Sequence, residues 1–334
     1  VKKTIGAACA AALIATLAPL PQAAAAGDTV SVNPRRLDRG DDVRGPHIEG
    51  KRVVDGDVSL KVRGKQRFLL GTSGDAYVVQ VLRKERFRVV RVQPGAEEVR
   101  LVRSSPEQVL LSDDGSTIAV LDKIARRTSI DVRSAVDGEL LGSGGGFRGY
   151  PSLLDLDGDH LIVASFEKGA TDFDWTTGTR TTITRRPVYR ADVSSNRMAL
   201  FTGDPYDGGC TVVAPLTRPK KKIWRSCEEA VLHFSPDGKR MVNTYILADG
   251  LGPNRVSERK VRGRLLASYR VGGFFGAIWW ESDTDLLLEA NAKRKAATVR
   301  CSAGDCERAS GLRPTPMYRP MVSAKEPLFS RSAR

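Results

Sequence analysis

The chain has 334 residues, with 53 lysines and arginines against 39 acidic residues, a formal net charge of +14, three histidines and five cysteines. A chain of this length can bury a sizeable core. Its positive excess favours anionic partners, but no basic stripe is interleaved with aromatic residues as single-stranded nucleic acid requires, so nucleic acid is not expected.

The first residues read as a secretory signal. Lys2 and Lys3 precede an apolar run from Ile5 to Leu20, and Pro21 and Ala24-Ala25-Ala26 follow. A basic start, a short apolar core and a small-residue cleavage site make residues 1–26 an expected signal peptide. The run falls short of the roughly 20 residues that a membrane span needs. No later segment is apolar enough either, so no transmembrane segment is expected after cleavage, and a secreted or cell-envelope location is. Residues 27–46 are charged and turn-rich, with Arg35-Arg36 and Asp41-Asp42, and read as a flexible leader. Residues 47–334 are expected to form a single domain.

From there one pattern recurs: apolar strand, turn with Asp or Gly, apolar strand, then two more polar strands. Its clearest copy is Phe234-Ser235-Pro236-Asp237-Gly238-Lys239-Arg240-Met241, and Ser112-Asp113-Asp114-Gly115 is a looser one. Turns anchored at positions 74, 115, 158, 195, 238 and 284 lie roughly 40–45 residues apart, the repeat length of a four-stranded β-propeller blade. The second strand of each unit, such as 117–121 or 286–288, is apolar on both faces, as a strand between neighbouring blades must be. An all-β chain follows. Val54-Asp55-Gly56-Asp57 copies Val136-Asp137-Gly138-Glu139, which joins two outer strands, so residues 48–63 read as an outer hairpin lacking inner strands. The segments 318–322 and 328–329 faintly mimic an inner pair. Seven blades are therefore expected, one built from both termini so that the ring closes without exposed edges; six blades with an appended hairpin is the alternative, because Pro320 suits an inner strand poorly.

The Ser235-Pro236-Asp237-Gly238-Lys239 phrase resembles the repeat of TolB-like, WD-like β-propeller proteins. That resemblance spans most of residues 66–312 as architecture and carries the motif well in one unit. It implies a fold and no chemistry, since propellers host scaffolds and enzymes alike.

Four cysteines remain beyond the signal, an even number that favours disulfides in an exported chain. Cys210 and Cys227 lie symmetrically about Arg218-Pro219, and Cys301 and Cys306 flank a four-residue turn, so each pair faces across a hairpin. The expected bridges are Cys210–Cys227 and Cys301–Cys306. A zinc site would need paired Cys-x-x-Cys spacing or more histidines.

Asp155-Leu156-Asp157-Gly158-Asp159 lacks the glycine and glutamate of a calcium loop and reads as a blade turn. No Gly-x-Ser-x-Gly elbow is present. Neither a metal nor a cofactor is expected, and no catalytic residue is assigned. Recognition is expected on the connections between second and third strands and between blades, which gather on one face. Those at 142–151, with Arg148 and Tyr150, at 203–209, with Asp204, Tyr206 and Asp207, and at 248–255 mix aromatic, charged and glycine residues. The expected function is that of a monomeric, non-enzymatic scaffold binding a protein or an anionic envelope polymer through this face. The alternative is a hydrolase or lyase acting on a lactone or sugar at the channel mouth, with Asp204, Asp207 and Glu281 as its first carboxylates to inspect. The Arg218-Pro219-Lys220-Lys221-Lys222 turn is placed on the opposite face.

Overall fold

Every anchor turn joins the two innermost strands of a separate sheet. The computed structural model describes residues 27–102, 106, 108–124 and 127–315. Within them the strands form seven sheets, here numbered as blades in chain order: blade 1 over 47–61, blade 2 over 67–100, blade 3 over 108–145, blade 4 over 152–184, blade 5 over 188–226, blade 6 over 229–271 and blade 7 over 274–308. Blades 2 to 7 each run as a four-stranded antiparallel meander. Blade 1 shows three strands, His47–Glu49, Arg52–Asp55 and Val58–Lys61, with the Asp55–Val58 hairpin where the sequence places it. The architecture is a seven-bladed β-propeller with almost no helix. The signal-peptide reading of residues 1–26 and the closing strands read at 318–329 lie outside the described residues.

The turn chemistry explains why the repeat is visible. In blade 6 the Ser235 hydroxyl donates to Asp237 Oδ1 at 2.7 Å and accepts from Arg240 N at 2.9 Å, while Asp237 Oδ1 also accepts from Lys239 N at 3.0 Å. Blade 3 repeats the arrangement: Ser112 donates to Asp114 at 2.6 Å, Thr117 N donates to Ser112 Oγ at 3.0 Å, and Ser116 N donates to Asp114 at 3.0 Å. Gly238 and Gly115 take φ of 62° and 71°, a left-handed conformation that a side chain resists. Each side-chain acceptor satisfies a backbone donor that the tight turn leaves unpaired.

Apolar side chains meet between blades. Leu154, Ile162 and Ala164 of blade 4 pack on Val188, Met198 and Leu200 of blade 5. Tyr269 and Val271 of blade 6 pack on Phe275, Leu286 and Leu288 of blade 7. The second strands are buried along their length, Leu286, Leu287 and Leu288 completely, as the doubly apolar pattern requires. Both expected disulfides are present, Cys210–Cys227 and Cys301–Cys306, and the latter two residues are direct partners in an antiparallel ladder.

The leader departs from its expectation. Thr29–Val32 adds as a parallel strand to the outer edge of blade 6, pairing Thr29 with Ser268 through Val32 with Val271. Residues 38–43 then follow the outer strand of blade 7, with Gly40 N donating to Arg308 O at 3.0 Å and Val43 N to Ala309 O at 3.1 Å. Buried Arg300 holds them there, donating to Asp41 O at 3.2 Å and Asp42 O at 2.9 Å. The stretch is a strap over two blades rather than a loose leader, because backbone bonds and one guanidinium supply what its polar sequence lacks in apolar surface.

Candidate binding face

Connections between second and third strands, and those between successive blades, emerge on one end of the meanders, so they share a face of the ring. Five large apolar side chains stand out there, between 44% and 77% exposed: Tyr150, Phe166, Tyr206, Tyr245 and Leu251. They belong to consecutive blades. Tyr150 is on the link from blade 3 to blade 4, Phe166 in the 166–168 connection of blade 4, Tyr206 in the 202–210 connection of blade 5, and Tyr245 and Leu251 at the corresponding connection of blade 6.

Local structure fixes how two of them are presented. Tyr150 has a φ of 53°, an unfavourable value for a residue with a Cβ, costing about 1–2 kcal/mol. The preceding Gly149 lies so close to Ser165, Glu167 and Lys168 that a Cβ on it would approach all three at 3.1–3.2 Å. The Tyr150 link and the Phe166 loop are therefore packed together. Tyr206 sits in a single 3-10 turn, Pro205–Asp207, which Asp204 caps by accepting from Tyr206 N at 2.9 Å. Thr202 and Cys210 close the base of that loop, with Thr202 N donating to Cys210 O and Cys210 N to Thr202 Oγ1, both at 2.9 Å. The Cys210–Cys227 bridge then ties the base to the residue that follows the outer strand of blade 5. The loop is thus held at its tip and at its base.

Of the residues singled out in the sequence, Arg148 and Tyr150 lie on one connection, and Asp204, Tyr206 and Asp207 on that of the next blade, all exposed except at their backbone caps. Phe166 and Tyr245 escaped sequence reading, whereas Leu251 lies within the 248–255 connection that it singled out. The signal for Phe166 and Tyr245 was an apolar residue standing where the repeat calls for a polar turn. At the root of the Tyr150 link a groove of about 280 Å³ is lined by Phe147, Arg148, Pro151, Ser165, Lys168 and Arg180, among others. Arg180 lies 4.2 Å over the Phe147 ring, which meets Phe173 edge-on.

Glu281 does not join Asp204 and Asp207. It lies at the turn between the first two strands of blade 7, at the other end of the meander. Its side chain is 2% exposed and bonded to Arg300 Nε at 2.5 Å and Arg44 N at 2.6 Å. Burial raises its pKa, but the Arg300 hydrogen bond, the Arg44 amide and both positive charges outweigh burial and hold the carboxyl below the usual range. It is a structural counter-ion of the strap. Asp155 is likewise committed, accepting from Val193 N of the next blade at 2.7 Å. Among the described residues no group of three or more His, Cys, Asp or Glu side chains is arranged to hold a metal ion, and no helix is long and apolar enough to cross a membrane.

No protein-family model and no curated protein matches the chain. Solved structures do. An uncharacterized protein, lmo1340 from Listeria monocytogenes EGD-e, aligns at 13% identity with a TM-score of 0.51, over 80% of this chain and 86% of that one. A chain of a mitotic checkpoint complex aligns at 12% identity and a TM-score of 0.55, over 78% and 84%, and U3-55K at 13% and 0.50, over 75% and 83%. They share a fold. At these identities the likeness extends to the WD-like seven-bladed ring and no further.

Proposed function

We propose that the chain is an exported, non-enzymatic scaffold that binds a protein through the connection face of blades 4 to 6. One observation carries this reading: exposed aromatic side chains on consecutive, anchored connections of a single face. Tyrosine and other aromatics are enriched where binding energy concentrates, because they offer a large apolar area with few rotatable bonds. Five large apolar side chains exposed on one face also need a reason, and an interface is the usual one. The energetic cost of holding Tyr150 at positive φ and the disulfide at the base of the Tyr206 loop both favour presentation over packing.

Two disulfides fit an oxidising compartment, and together with Lys2, Lys3 and the apolar run they support a secreted or envelope-associated scaffold. The Ser235–Lys239 phrase supports a TolB-like repeat. The enzyme alternative lacks support of this kind, since its three carboxylates are divided between the two ends of the ring and Glu281 is saturated.

The test is affinity capture from the envelope of the producing cell, using wild type and a Tyr150→Ser/Tyr206→Ser variant. A partner held by wild type should be lost or weakened by about tenfold or more in the variant, as removal of interface anchors requires, with an unchanged melting curve. Equal capture by both proteins would sink the proposal. Sedimentation of the purified chain decides whether a second copy occupies the face.

A further inference from the structure

A charged surface starts at the root of the Tyr150 link and continues along the outer strand of blade 4. Beyond the groove at Arg148, Lys168 and Arg180, another groove of about 400 Å³ is lined by Thr182, Ile183, Thr184, Arg185, Arg186, Pro219 and Lys220. The two grooves meet at Thr182, which lines both. Thr182 belongs to Arg180–Thr184, the outermost strand of blade 4, whose free edge faces outward. The basic turn of blade 5 joins its third and fourth strands as expected, and it brings Lys220 to this seam between blades.

Three observations define what could bind. Arg148, Lys168, Arg180, Arg185, Arg186 and Lys220 form no ion pair among the described residues. No carboxylate lines either groove, and Glu167 merely flanks the first from the Gly149 side. Between the cations stand the hydroxyl residues Ser165, Thr171, Thr182 and Thr184. Guanidinium and ammonium groups interspersed with Ser and Thr hydroxyls are the set that contacts backbone phosphate oxygens. The strand from Arg180 to Thr184 runs about 13 Å at strand rise, and the cations at and beyond its two ends suit an elongated ligand. The lining aromatic, Phe147, is capped by Arg180 and turned edge-on to Phe173, which leaves no platform for stacking a base.

We propose that this rim is a binding track for a flexible linear polymer with phosphate in its backbone and no stacking bases. The track adjoins the aromatic face at the Tyr150 link and runs from there along blade 4; the argument for it does not depend on the protein-binding reading. A concave track suits a thin chain better than a flat membrane, and its unpaired cations gain counterion-release free energy only from a polymer of closely spaced charge.

Long-chain inorganic polyphosphate is the probe, titrated against the full chain at several salt concentrations. Saturable binding is expected, with log K falling linearly against log[salt]. Lys168→Glu in one groove and Arg185→Glu/Lys220→Glu in the other should each weaken binding by about tenfold at low salt and reduce the slope by about 0.7 per cation removed. All three residues are exposed, and the Arg185→Gln/Lys220→Gln variant provides a milder second test should charge reversal disturb folding. The proposal is overturned if wild type does not bind polyphosphate, or if the groove variants bind as wild type does. It is also overturned if polyglutamate, single-stranded DNA or anionic phospholipid vesicles bind as tightly. Loss of protein capture in the tyrosine variant with polyphosphate binding intact would separate this site from the protein face.

Discussion

The inter-blade seams make a quantitative demand at one glycine. Gly115, in the first turn of blade 3, has a φ of 71°, and a Cβ there would overlap the Thr72 carbonyl oxygen of blade 2, lying 3.0 Å from its carbon and 3.1 Å from Ser73 Cα. Gly158, in the equivalent turn of blade 4, has a φ of 56° and nothing within 4 Å of such an atom. Gly115→Ala and Gly158→Ala therefore share a left-handed backbone penalty of about 1–2 kcal/mol. Gly115→Ala alone must also push backbone against backbone across a seam, and overpacking of that kind costs about 1–3 kcal/mol more. For a chain of this size each kcal/mol moves the midpoint of thermal unfolding by about 2 °C. The expected loss is thus about 2–4 °C for Gly158→Ala and about 4–10 °C for Gly115→Ala, measured by circular dichroism or calorimetry on the two variants side by side. Equal losses would refute the reasoning, because they would mean that the seam yields freely and that turn geometry alone fixes these glycines.

Other expectations follow from the staples and the strap. Replacing Cys210 and Cys227 by serine should cost about 3 kcal/mol, and replacing Cys301 and Cys306 about 2 kcal/mol, from the loops of 17 and 5 residues that they close; equal costs in denaturant titrations would contradict the chain-entropy account. The first replacement should also weaken partner capture, since it loosens the base of the Tyr206 loop, and the second should not. Arg300→Met leaves Glu281 buried without its partner and should cost about 3–5 kcal/mol, while limited proteolysis begins to cut within residues 38–44, which resist in wild type. The pH dependence follows from the lowered Glu281 pKa. A carboxylate held below its unfolded value contributes stability that is complete above that value, about 4.3, and is lost as the pH falls through the folded one. Wild type should therefore lose more stability than Glu281→Gln between about pH 5 and pH 3, read from thermal midpoints across that range. Parallel acid curves would exclude Glu281 as the cause.

The repeat was legible because its turn consumes specific side chains. Ser235 and Asp237, like Ser112 and Asp114, accept from backbone donors of the turn, so the phrase is recognisable in blades 6 and 3. The disulfides were legible for the related reason that hairpin symmetry converts spacing into distance. The strap was not, because Thr29–Val32 and residues 38–43 bind mainly through backbone groups that every sequence possesses, and Arg300 is separated from Asp42 by 258 positions. On the connection face, Tyr150 and Tyr206 could be read because they sit among glycines on connections that break the repeat. Phe166 and Tyr245 could not, since an apolar residue beside a strand end looks like the end of the strand. Glu281 was misplaced although the anchor at 284 already put it on a turn between first and second strands, at the end away from the connections; its burial against Arg300, 19 positions on, was what sequence did not show.

The strap also sets the order in which the molecule can be completed. Its residues are made before all seven blades, yet their docking surfaces are the outer strands of blades 6 and 7, which follow the other five blades. Residues 29–43 must therefore wait, unpaired, through the making of nearly the whole ring. The strap can lock only a nearly finished product, and ladder bonds of this sequence separation slow the final step while marking it as final.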